Sequence, residues 1–448
     1  MSIPFRGSRM VFGLKVALVV VAGAFVVACA LGWYWLRNPD RYLPMAIANA
    51  EKRTGLQIDV RHVEIRYFPL LVRVYGLEIK NPKPFPAGDF LKVPMLEASV
   101  EWTPLLLQGN IVVRSLVLDQ PEIDFISDPD GLWNFQNPAG LKEQPKRFST
   151  GSVASLTVKN GVLLGSNLID PSDRPGPTIL ELRDLSGDLQ QIHFHPHGQG
   201  APLNAIQGRL TAATAAFGSI HTRDLRSEVR IQPLELIFKN FATKTYRGQA
   251  SGDFSLNFQG KKTTFQTRVQ VSGVGMPYLL AEFDSGPPKM TGMMAAKLDV
   301  GGVIAHSSSP LGGLHGTGTM TVRQGQLPRI NQNASMKQME RFRMAAAAGL
   351  PPSAFSAFGG DMELKNQRMY SQRIGIDFYG IAVDGAGSMS LTGGPMDYRG
   401  TATIEKRQGF FMNTFARWFK GAREKDGHLM FPVRLTGTLT NPQFAVAH

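Results

Sequence analysis

The chain of 448 residues is 43% hydrophobic and 19% charged, so it can bury a large core and is not a disordered protein. Its net charge of +13 favours anionic partners, either nucleic acid or anionic lipid. Cys29 is the only cysteine, which excludes a disulfide framework and any cysteine-based metal or nucleophile site outside the N-terminal segment.

An uncharged run of 21 residues, Val16–Leu36, follows a basic tail, residues 1–15, that contains no acidic residue. As a helix the run is roughly 31 Å long, about the thickness of the hydrocarbon core of a bilayer. Two tryptophans and a tyrosine crowd its end, where aromatic rings favour the membrane–water interface. The positive-inside rule places the tail in the cytoplasm and everything from Arg37 onward across the membrane. That location favours lipid or an envelope polymer over nucleic acid as a partner.

The anchor has two alternative interpretations, and both place the rest of the chain on the same side of the membrane. Val16–Ala28 is long enough for the apolar core of a cleaved secretory signal. Val26–Cys29 resembles a lipobox, in which Cys29 would be lipidated and become the mature N-terminus. The apolar run continues for seven residues beyond Cys29, which a cleaved signal does not need, so we expect an uncleaved transmembrane helix.

A helix followed by short strands is predicted after the anchor. Asn38 can cap a helix over 39–54 that Gly55 ends. From Leu56 the apolar residues alternate with a period of two, which indicates strands, and a slip of phase at Arg61–His62 predicts a bulge. Further alternating runs, separated by Pro and Gly, are Val72–Lys80, Leu96–Glu101, Ile111–Leu118 and Glu122–Ile126. These runs predict a β meander with one apolar face, and residues 127–150 then form a loop-rich connection.

A short motif recurs along the chain, with the form apolar-x-apolar-basic-amide-(Gly or Gln)-x-apolar. Its copies are Leu156–Leu164, Met320–Pro328 and a looser Met362–Tyr370. Because Asn160-Gly161 tolerates the positive φ angles of a type I′ turn, the motif predicts a β-hairpin. Further hairpins are predicted around Gln259-Gly260 and Gly393-Gly394.

Two late segments have helical periodicity. Residues 334–348 are rich in Met and Ala and end before Gly349. Residues 410–423 carry four aromatic side chains at helical spacing beside basic residues, namely Phe411, Phe415, Trp418 and Phe419. Such a helix can lie in a membrane interface, cover an apolar groove or pack as ordinary core, and the sequence leaves these alternatives open.

The sequence contains no catalytic motif of an established kind. It has no GxSxG, HExxH or Walker motif and no GxGxxG between strand and helix, so we expect neither an enzyme nor a cofactor. His193, His195 and His197 would share one face of an extended strand and are the candidate metal site. Pro196 and the lack of a nearby carboxylate or thiolate favour a solvated loop, so we expect no metal. A hydrolase with an unrecognised site is the remaining enzymatic alternative.

Several segments of the chain match the pattern of one protein family. Near the N-terminus these are Asn38-Pro39-Asp40-Arg41-Tyr42 after the anchor, Thr54-Gly55, the group Leu105, Leu106, Gly109 and Ile111, the group Leu118, Pro121 and Ile123, and Asp130-Gly131 with Asn134-Phe135. Near the C-terminus they are Gly316, Gly318 and Met320, and the closing group Pro432–Leu435, Gly437, Leu439 and Asn441-Pro442. With these segments the chain resembles the AsmA family of bacterial envelope proteins, and the resemblance spans most of 16–145 and 290–448.

The resemblance implies a bacterial inner-membrane protein with a periplasmic body. That body would be mainly β, an elongated, twisted antiparallel sheet that forms an apolar groove, with one transmembrane helix and a few short amphipathic helices. It also implies a relation to chorein-type bridge proteins, which carry phospholipid between membranes. On this basis the body divides into an N-terminal β segment over 37–145, a middle β segment over 146–290 and a C-terminal β segment over 291–448.

An apolar sheet face must be covered, and the sequence offers few helices to cover it, so acyl chains are the candidate filling. Together with the resemblance, which also implies a part in outer-membrane assembly, this apolar face predicts a groove that binds phospholipid and contributes to its transport and to outer-membrane biogenesis, with no covalent step. A structural or regulatory protein that modulates outer-membrane protein assembly without lipid is the alternative. The predicted partners are the membrane, phospholipid and envelope proteins, and no nucleic acid. The candidate lipid-contacting residues, which an ordinary core would also show, are Leu56, Ile58, Val60, Val72, Val74, Leu96, Ala98, Val100, Ile123 and Phe125, with Phe411, Phe415, Trp418 and Phe419.

Overall fold

The structure, a computed structural model, describes most of the chain beyond the predicted anchor. The described residues are 43–45, 47–48, 51, 56–67, 69–108, 112–128, 133–134, 151–167, 178–194, 206–232, 235–258, 262–282, 290–304, 313–327, 349–351, 353–391, 394–405, 422–438 and 441–446. The predicted anchor at Val16–Leu36, with Cys29, lies outside them. None of the helices within these ranges is long and apolar enough to cross a membrane.

The described chain is mainly β, as predicted, and its strands belong to one mixed sheet of 21 strands. The strands are β1 (Ile58–Arg66), β2 (Leu71–Lys80), β3 (Asp89–Val100), β4 (Val112–Asp119), β5 (Glu122–Ser127), β6 (Gly151–Asn167), β7 (Thr178–Phe194), β8 (Ile206–Phe217), β9 (Ile220–Gln232), β10 (Glu235–Thr245), β11 (Gly248–Asn257), β12 (Thr264–Gly275), β13 (Met293–Val303), β14 (His315–Gln326), β15 (Ala354–Lys365), β16 (Arg368–Asp377), β17 (Ile381–Ser390), β18 (Met396–Glu405), β19 (Arg423–Lys425), β20 (His428–Thr438) and β21 (Asn441–Val446). Among the described residues, two short helices lie between strands, α1 (Trp102–Gln108) and α2 (Met276–Ala281).

Contacts divide the chain into two compact units. Unit 1 comprises Met1–Thr243, Asp253–Phe265 and Ile304–Ser308. Unit 2 comprises Lys244–Gly252, Gln266–Val303 and Ser309–His448.

The predicted helix over 39–54 is confirmed at the positions that the structure describes, since residues 43–45, 47–48 and 51 are helical. Leu43 and Ile47, one helical turn apart, pack against the main apolar cluster of unit 1. The Glu51 carboxylate accepts a 2.9 Å hydrogen bond from the backbone N–H of Ile58, the first residue of β1. The helix is therefore attached to the sheet by apolar contacts and by a hydrogen bond.

The strands predicted in the first part of unit 1 are confirmed, but the predicted antiparallel topology is wrong at one place. β1, β2 and β3 are antiparallel neighbours. β4 and β5 both pair antiparallel with β3, yet both pair in parallel with β6. A short hairpin turn reverses the chain and makes neighbouring strands antiparallel, whereas parallel neighbours need a dozen or more connecting residues. The connection from Ser127 to Gly151 is long enough to allow the parallel pairing. β7, β8 and β9 then follow as antiparallel neighbours.

The change of phase predicted at Arg61–His62 is present, but the predicted bulge is wrong. The register of β1 with β2 has no shift along its whole length. The buried positions change phase in both strands at the same place. There Gly76 of β2 has a φ angle of +63° and lies beside Arg61 of β1, so the change comes from the backbone conformation at Gly76. A bulge would place two residues of one strand opposite one of the other, and the pairing keeps a one-to-one count.

Other strands of unit 1 change phase at a residue with a positive φ angle. We name these residues the crease, and they are Gln120 after β4, Asn160 in β6, Asp184 in β7, Asp224 in β9 and Asn240 in β10, with φ between 50° and 56°. Asn and Asp adopt this left-handed conformation more readily than most residues. In β6 the residues that face inward before Asn160 are Leu156 and Val158. After Asn160 they are Gly161 and Leu163, so one apolar face continues through the change.

The recurrent motif predicts a backbone conformation correctly and a hairpin only in part. Asn366-Gln367 forms the predicted turn between β15 and β16, with φ angles of 53° and 60°. Asn160 and Gln324 both have a φ angle of 51°, but they lie inside β6 and β14, so the hairpins predicted there are wrong. β17 and β18 form the antiparallel pair predicted around Gly393-Gly394. The turn predicted at Gln259-Gly260 lies outside the described residues.

Unit 2 is antiparallel from β13 to β18, and β20 then pairs with β18, β19 and β21. The helix predicted at 334–348 lies outside the described residues, and Gly349 beyond it has a φ angle of 79°. The helix predicted at 410–423 also lies outside them as far as residue 421. Its predicted last residue, Arg423, instead begins β19, because a turn at Asp426-Gly427 pairs it with Met430.

Candidate functional site

The predicted groove residues of the first strands are buried in the main apolar cluster of unit 1. The exposed fraction is 6% or less for Leu56, Ile58, Val72, Val74, Leu96, Ala98 and Val100. Val60, Ile123 and Phe125 are half-buried and pack against the same cluster. The apolar face of β1–β5 is therefore packed by side chains of the chain itself, and lipid contact at these residues stays a prediction.

The apolar face is more open on the later strands of unit 1. Leu189 of β7 and Ile206 of β8 are half-buried against the edge of the main cluster. Farther along β8 and β9, Leu210, Ala215 and Leu225 are half-buried around a small buried group. These strands therefore leave part of their aliphatic surface accessible.

Four phenylalanine rings gather on this more open part of unit 1. We name Phe217, Phe238, Phe254 and Phe265 the phenylalanine cluster. The centroid of the Phe254 ring lies 5.6 Å from that of Phe217, 6.0 Å from Phe238 and 6.3 Å from Phe265. Phe238 is 9% exposed, and the other three rings are half-buried. Rings at such spacings attract one another, and their accessible edges offer hydrocarbon to an apolar ligand.

The two faces of β8 and β9 differ in charge. Their inward positions carry aliphatic, aromatic, hydroxyl-bearing or glycine residues and no charged ones. On the exposed face, Arg209 of β8 lies opposite Glu228 of β9 and opposite Asp188 of β7. The alternating charges suit water, whereas the inward face suits hydrocarbon.

Trp133 joins two distant parts of unit 1. Its Nε1–H donates a 2.8 Å hydrogen bond to Oγ1 of Thr263, which is 130 residues later in the chain. Its ring also meets Phe258 edge-on, at a centroid distance of 6.5 Å. The next residue, Asn134, is 2% exposed and donates to Oδ1 of Asn81 at 2.9 Å and to the carbonyl oxygen of Asp124 at 2.8 Å. Burial raises the pKa of the Asp124 carboxyl. This group of contacts supports the fold and contains no catalytic arrangement.

The predicted histidine site lies mostly outside the described residues. His193 is in β7 opposite Ser152 of β6, whereas His195 and His197 are beyond the described range. Within the part of the chain that the structure describes, no group of three or more His, Cys, Asp or Glu side chains could hold a metal ion. The predicted aromatic contacts Phe411, Phe415, Trp418 and Phe419 also lie outside the described residues.

The sequence analysis missed the phenylalanine cluster. A signal was present, because Phe254 continues an alternation through Ala250 and Leu256 on β11. Nothing local in the sequence shows that four strands bring their rings together. Residues 150–290, which contain the cluster, carry none of the groups on which the resemblance rests.

Comparison with known proteins supports that resemblance in the first part of the chain. The family model described as "AsmA family" matches residues 10–160, which contain the predicted anchor, β1–β5 and the first part of β6. No match is found among curated proteins. The likeness of residues 290–448 to the same family stays a prediction. The resemblance to the AsmA family is therefore confirmed, and it covers residues 10–160 of this chain.

Proposed function

We propose that this protein binds phospholipid on the apolar face of its sheet and contributes to phospholipid transport and outer-membrane biogenesis. In this proposal an N-terminal helix anchors it in the bacterial inner membrane and the sheet lies in the periplasm. The observation that carries the proposal is the contrast within unit 1. Most apolar side chains of β1–β5 are buried in one large cluster, whereas three of the four rings of the phenylalanine cluster and Leu210 and Ala215 of β8 are only half-buried. The match of residues 10–160 to the AsmA family supports a protein of the lipid-transport class.

The proposed mechanism is passive and needs no covalent step. Apolar surface left in water costs roughly 25 cal/mol per Å², and an acyl chain on the open part of the face removes that cost. The charged outer face stays in water, and the polar head group remains in contact with water as well. Partition between the sheet and a membrane would then supply the driving force for loading and release.

The proposal is tested by native mass spectrometry of the full chain extracted in detergent. We expect co-purified phospholipid on the wild-type protein. Phe254→Asp places a charge on the apolar face, where desolvating it is costly, so we expect bound lipid to fall at least about tenfold. Circular dichroism checks that the variant keeps its β structure.

The matched control is Ser251→Asp, which adds the same charge to an exposed position of β11. It should leave the amount of bound lipid unchanged. Equal lipid on all three proteins, or no lipid on the wild type, would contradict the proposal.

A structural role without lipid is the second candidate, and one observation favours it. The predicted groove residues of β1–β5 form a packed cluster, as a closed core would show. If the wild type carries no lipid, and the Phe254→Asp variant still supports outer-membrane protein assembly in cells, this second function is the better explanation.

A further inference from the structure

Tyr398 places a hydroxyl group among apolar residues of unit 2. The residue is on β18 and is 6% exposed, and its Oη has no hydrogen-bond partner among the described residues. Its register neighbours farther along the sheet are Leu435 of β20 and then Phe444 of β21. A buried hydroxyl without a partner is unfavourable, and native structures rarely keep one without a reason.

The sheet next to Tyr398 is poor in side chains. Gly387 lies directly opposite Tyr398, and Gly385 lies directly opposite Gly400 in the same pair of strands. A Cβ atom on Gly387 would lie 2.6 Å from Cδ1 of Tyr398, so the tyrosine ring lies across this glycine. We name Gly385, Gly387 and Gly400 the glycine gap.

The glycine gap separates two apolar clusters within unit 2. On β17, Val383 packs against the cluster that contains Phe431, and Met389 packs against the cluster that contains Met369. A hydrocarbon chain along the strand would therefore meet apolar side chains on both sides of the gap and the Tyr398 hydroxyl between them. Met389 is half-buried and lies two positions beyond Gly387 on the same face of β17.

The Tyr398 hydroxyl is a neutral donor at physiological pH. Burial raises the pKa of Tyr398 to about 12, and the charge of Arg368 opposes this effect. Arg368 donates a 2.8 Å hydrogen bond from Nη2 to the hydroxyl of Ser388. The register neighbours of Tyr398, Gly387 and Leu435, are uncharged. A neutral acceptor therefore fits this place, whereas an anion would lose hydration and would find the Arg368 guanidinium already bonded to Ser388.

We propose that the Tyr398 hydroxyl donates a hydrogen bond to the ester carbonyl of a lipid whose acyl chain lies across the glycine gap. An ester carbonyl is neutral, accepts a hydrogen bond and is joined directly to a hydrocarbon chain. It therefore matches both the donor and the apolar clusters on either side. The inference rests on the proposed function, because it requires the apolar face to take lipid.

The test compares two lipids that differ only at the carbonyl group. The full chain in detergent is titrated with a diacyl phosphatidylethanolamine and with its ether-linked analogue, which has the same head group and chain lengths. Wild type, Tyr398→Phe and the control Tyr370→Phe are compared, and Tyr370 is a 38% exposed residue of β16. We expect wild type and the control to bind the ester lipid about two- to tenfold more tightly, and Tyr398→Phe to bind both lipids equally.

A second measurement uses the lipid-free proteins. Because Tyr398→Phe removes an unsatisfied hydroxyl, its Tm should equal that of the wild type or exceed it by about 2–4 °C. A lower Tm would show that the hydroxyl already has a partner in the protein, and it would overturn the inference.

The remaining outcomes separate this inference from the proposed function. A wild type that binds ester and ether lipids equally, or a Tyr398→Phe variant that keeps the preference, overturns the inference while lipid binding stands. If Tyr398→Phe weakens the binding of both lipids equally, the hydroxyl contacts the head group that they share, and the inference is also overturned. A wild type that binds neither lipid overturns both proposals.

Discussion

At the scale of single residues, Asp361 shows how one carboxylate supports an irregular part of the sheet. The register of β15 with β16 shifts beside this residue. Oδ1 of Asp361 accepts hydrogen bonds from the backbone N–H groups of Arg373 at 2.9 Å and Gln372 at 3.0 Å, and from the Ser371 hydroxyl at 3.0 Å. These donors, with Arg373 the strongest, lower the pKa of the Asp361 carboxyl. The ionised form therefore stabilises unit 2.

That pKa gives the stability of unit 2 a dependence on pH. A carboxyl whose pKa is lowered in the folded state contributes its full stability above the pKa of the unfolded state, about 4. That stability is lost as the pH falls through the pKa of the folded state. We expect the Tm of the wild type to fall more steeply from about pH 5 to about pH 3 than that of Asp361→Asn. Circular dichroism melting curves measure this, with the same substitution at an exposed position of β17, Asp384→Asn, as the matched control. Parallel curves for wild type and Asp361→Asn would contradict the prediction.

At the scale of elements, alternation in the sequence predicts strands better than it predicts their partners. The run from Val72 to Lys80 becomes β2 almost residue for residue, because burial of one face sets its pattern. The parallel pairing of β4 with β6 joins strands that flank β5 and a long connection, and no local pattern in the sequence encodes it. Asn160 has the left-handed backbone that its motif predicts, but whether the chain turns there depends on neighbouring strands.

The same limit applies to the candidate site. The sequence predicts which residues face inward, and Ile58 and Val74 are buried as an apolar face requires. Burial by the protein's own side chains and burial by a ligand leave the same alternation in the sequence. The phenylalanine cluster takes one ring from each of β8, β10, β11 and β12, and alternation along a single strand does not show that these rings meet.

The crease predicts how substitutions at Asn160 change stability. Its φ angle of 51° suits Gly or Asn and is strained by about 1–2 kcal/mol for a β-branched residue. We expect Asn160→Val to destabilise unit 1 by about that amount and Asn160→Gly to change its stability by less than about 0.5 kcal/mol. Urea unfolding measures both, and Lys159→Val, one residue earlier in β6, controls for the change in polarity. Equal effects of the two valine variants would show that the backbone conformation is not the cause.

At the scale of the whole molecule, long-range contacts hold together strands that are far apart in sequence. The hydrogen bond from Trp133 to Thr263 links an early connection of unit 1 with the residue before β12. Such non-local contacts form late and slow the folding of β proteins. Stability therefore depends on a few contacts between distant parts of the chain as well as on neighbouring strands.

Removal of this contact should destabilise unit 1. Trp133→Phe keeps an aromatic ring but leaves the buried Thr263 hydroxyl without its donor, so we expect a loss of about 1–3 kcal/mol in the free energy of unfolding. Thr263→Val alone and the double variant complete a thermodynamic cycle. A double variant as unstable as the sum of the two single variants would show that the hydrogen bond does not couple them.

The crease has a consequence for how the strands avoid mispairing. A long strand with one uniform alternation can slide along its neighbour by two positions and still present the same oily side. A strand whose inward face changes from even to odd positions midway cannot slide in this way. Any shift would place the left-handed backbone of Asn160 or Asp184 opposite residues with extended backbone. The left-handed residues therefore fix the register, so that strands with similar sequence patterns pair in a single register during folding.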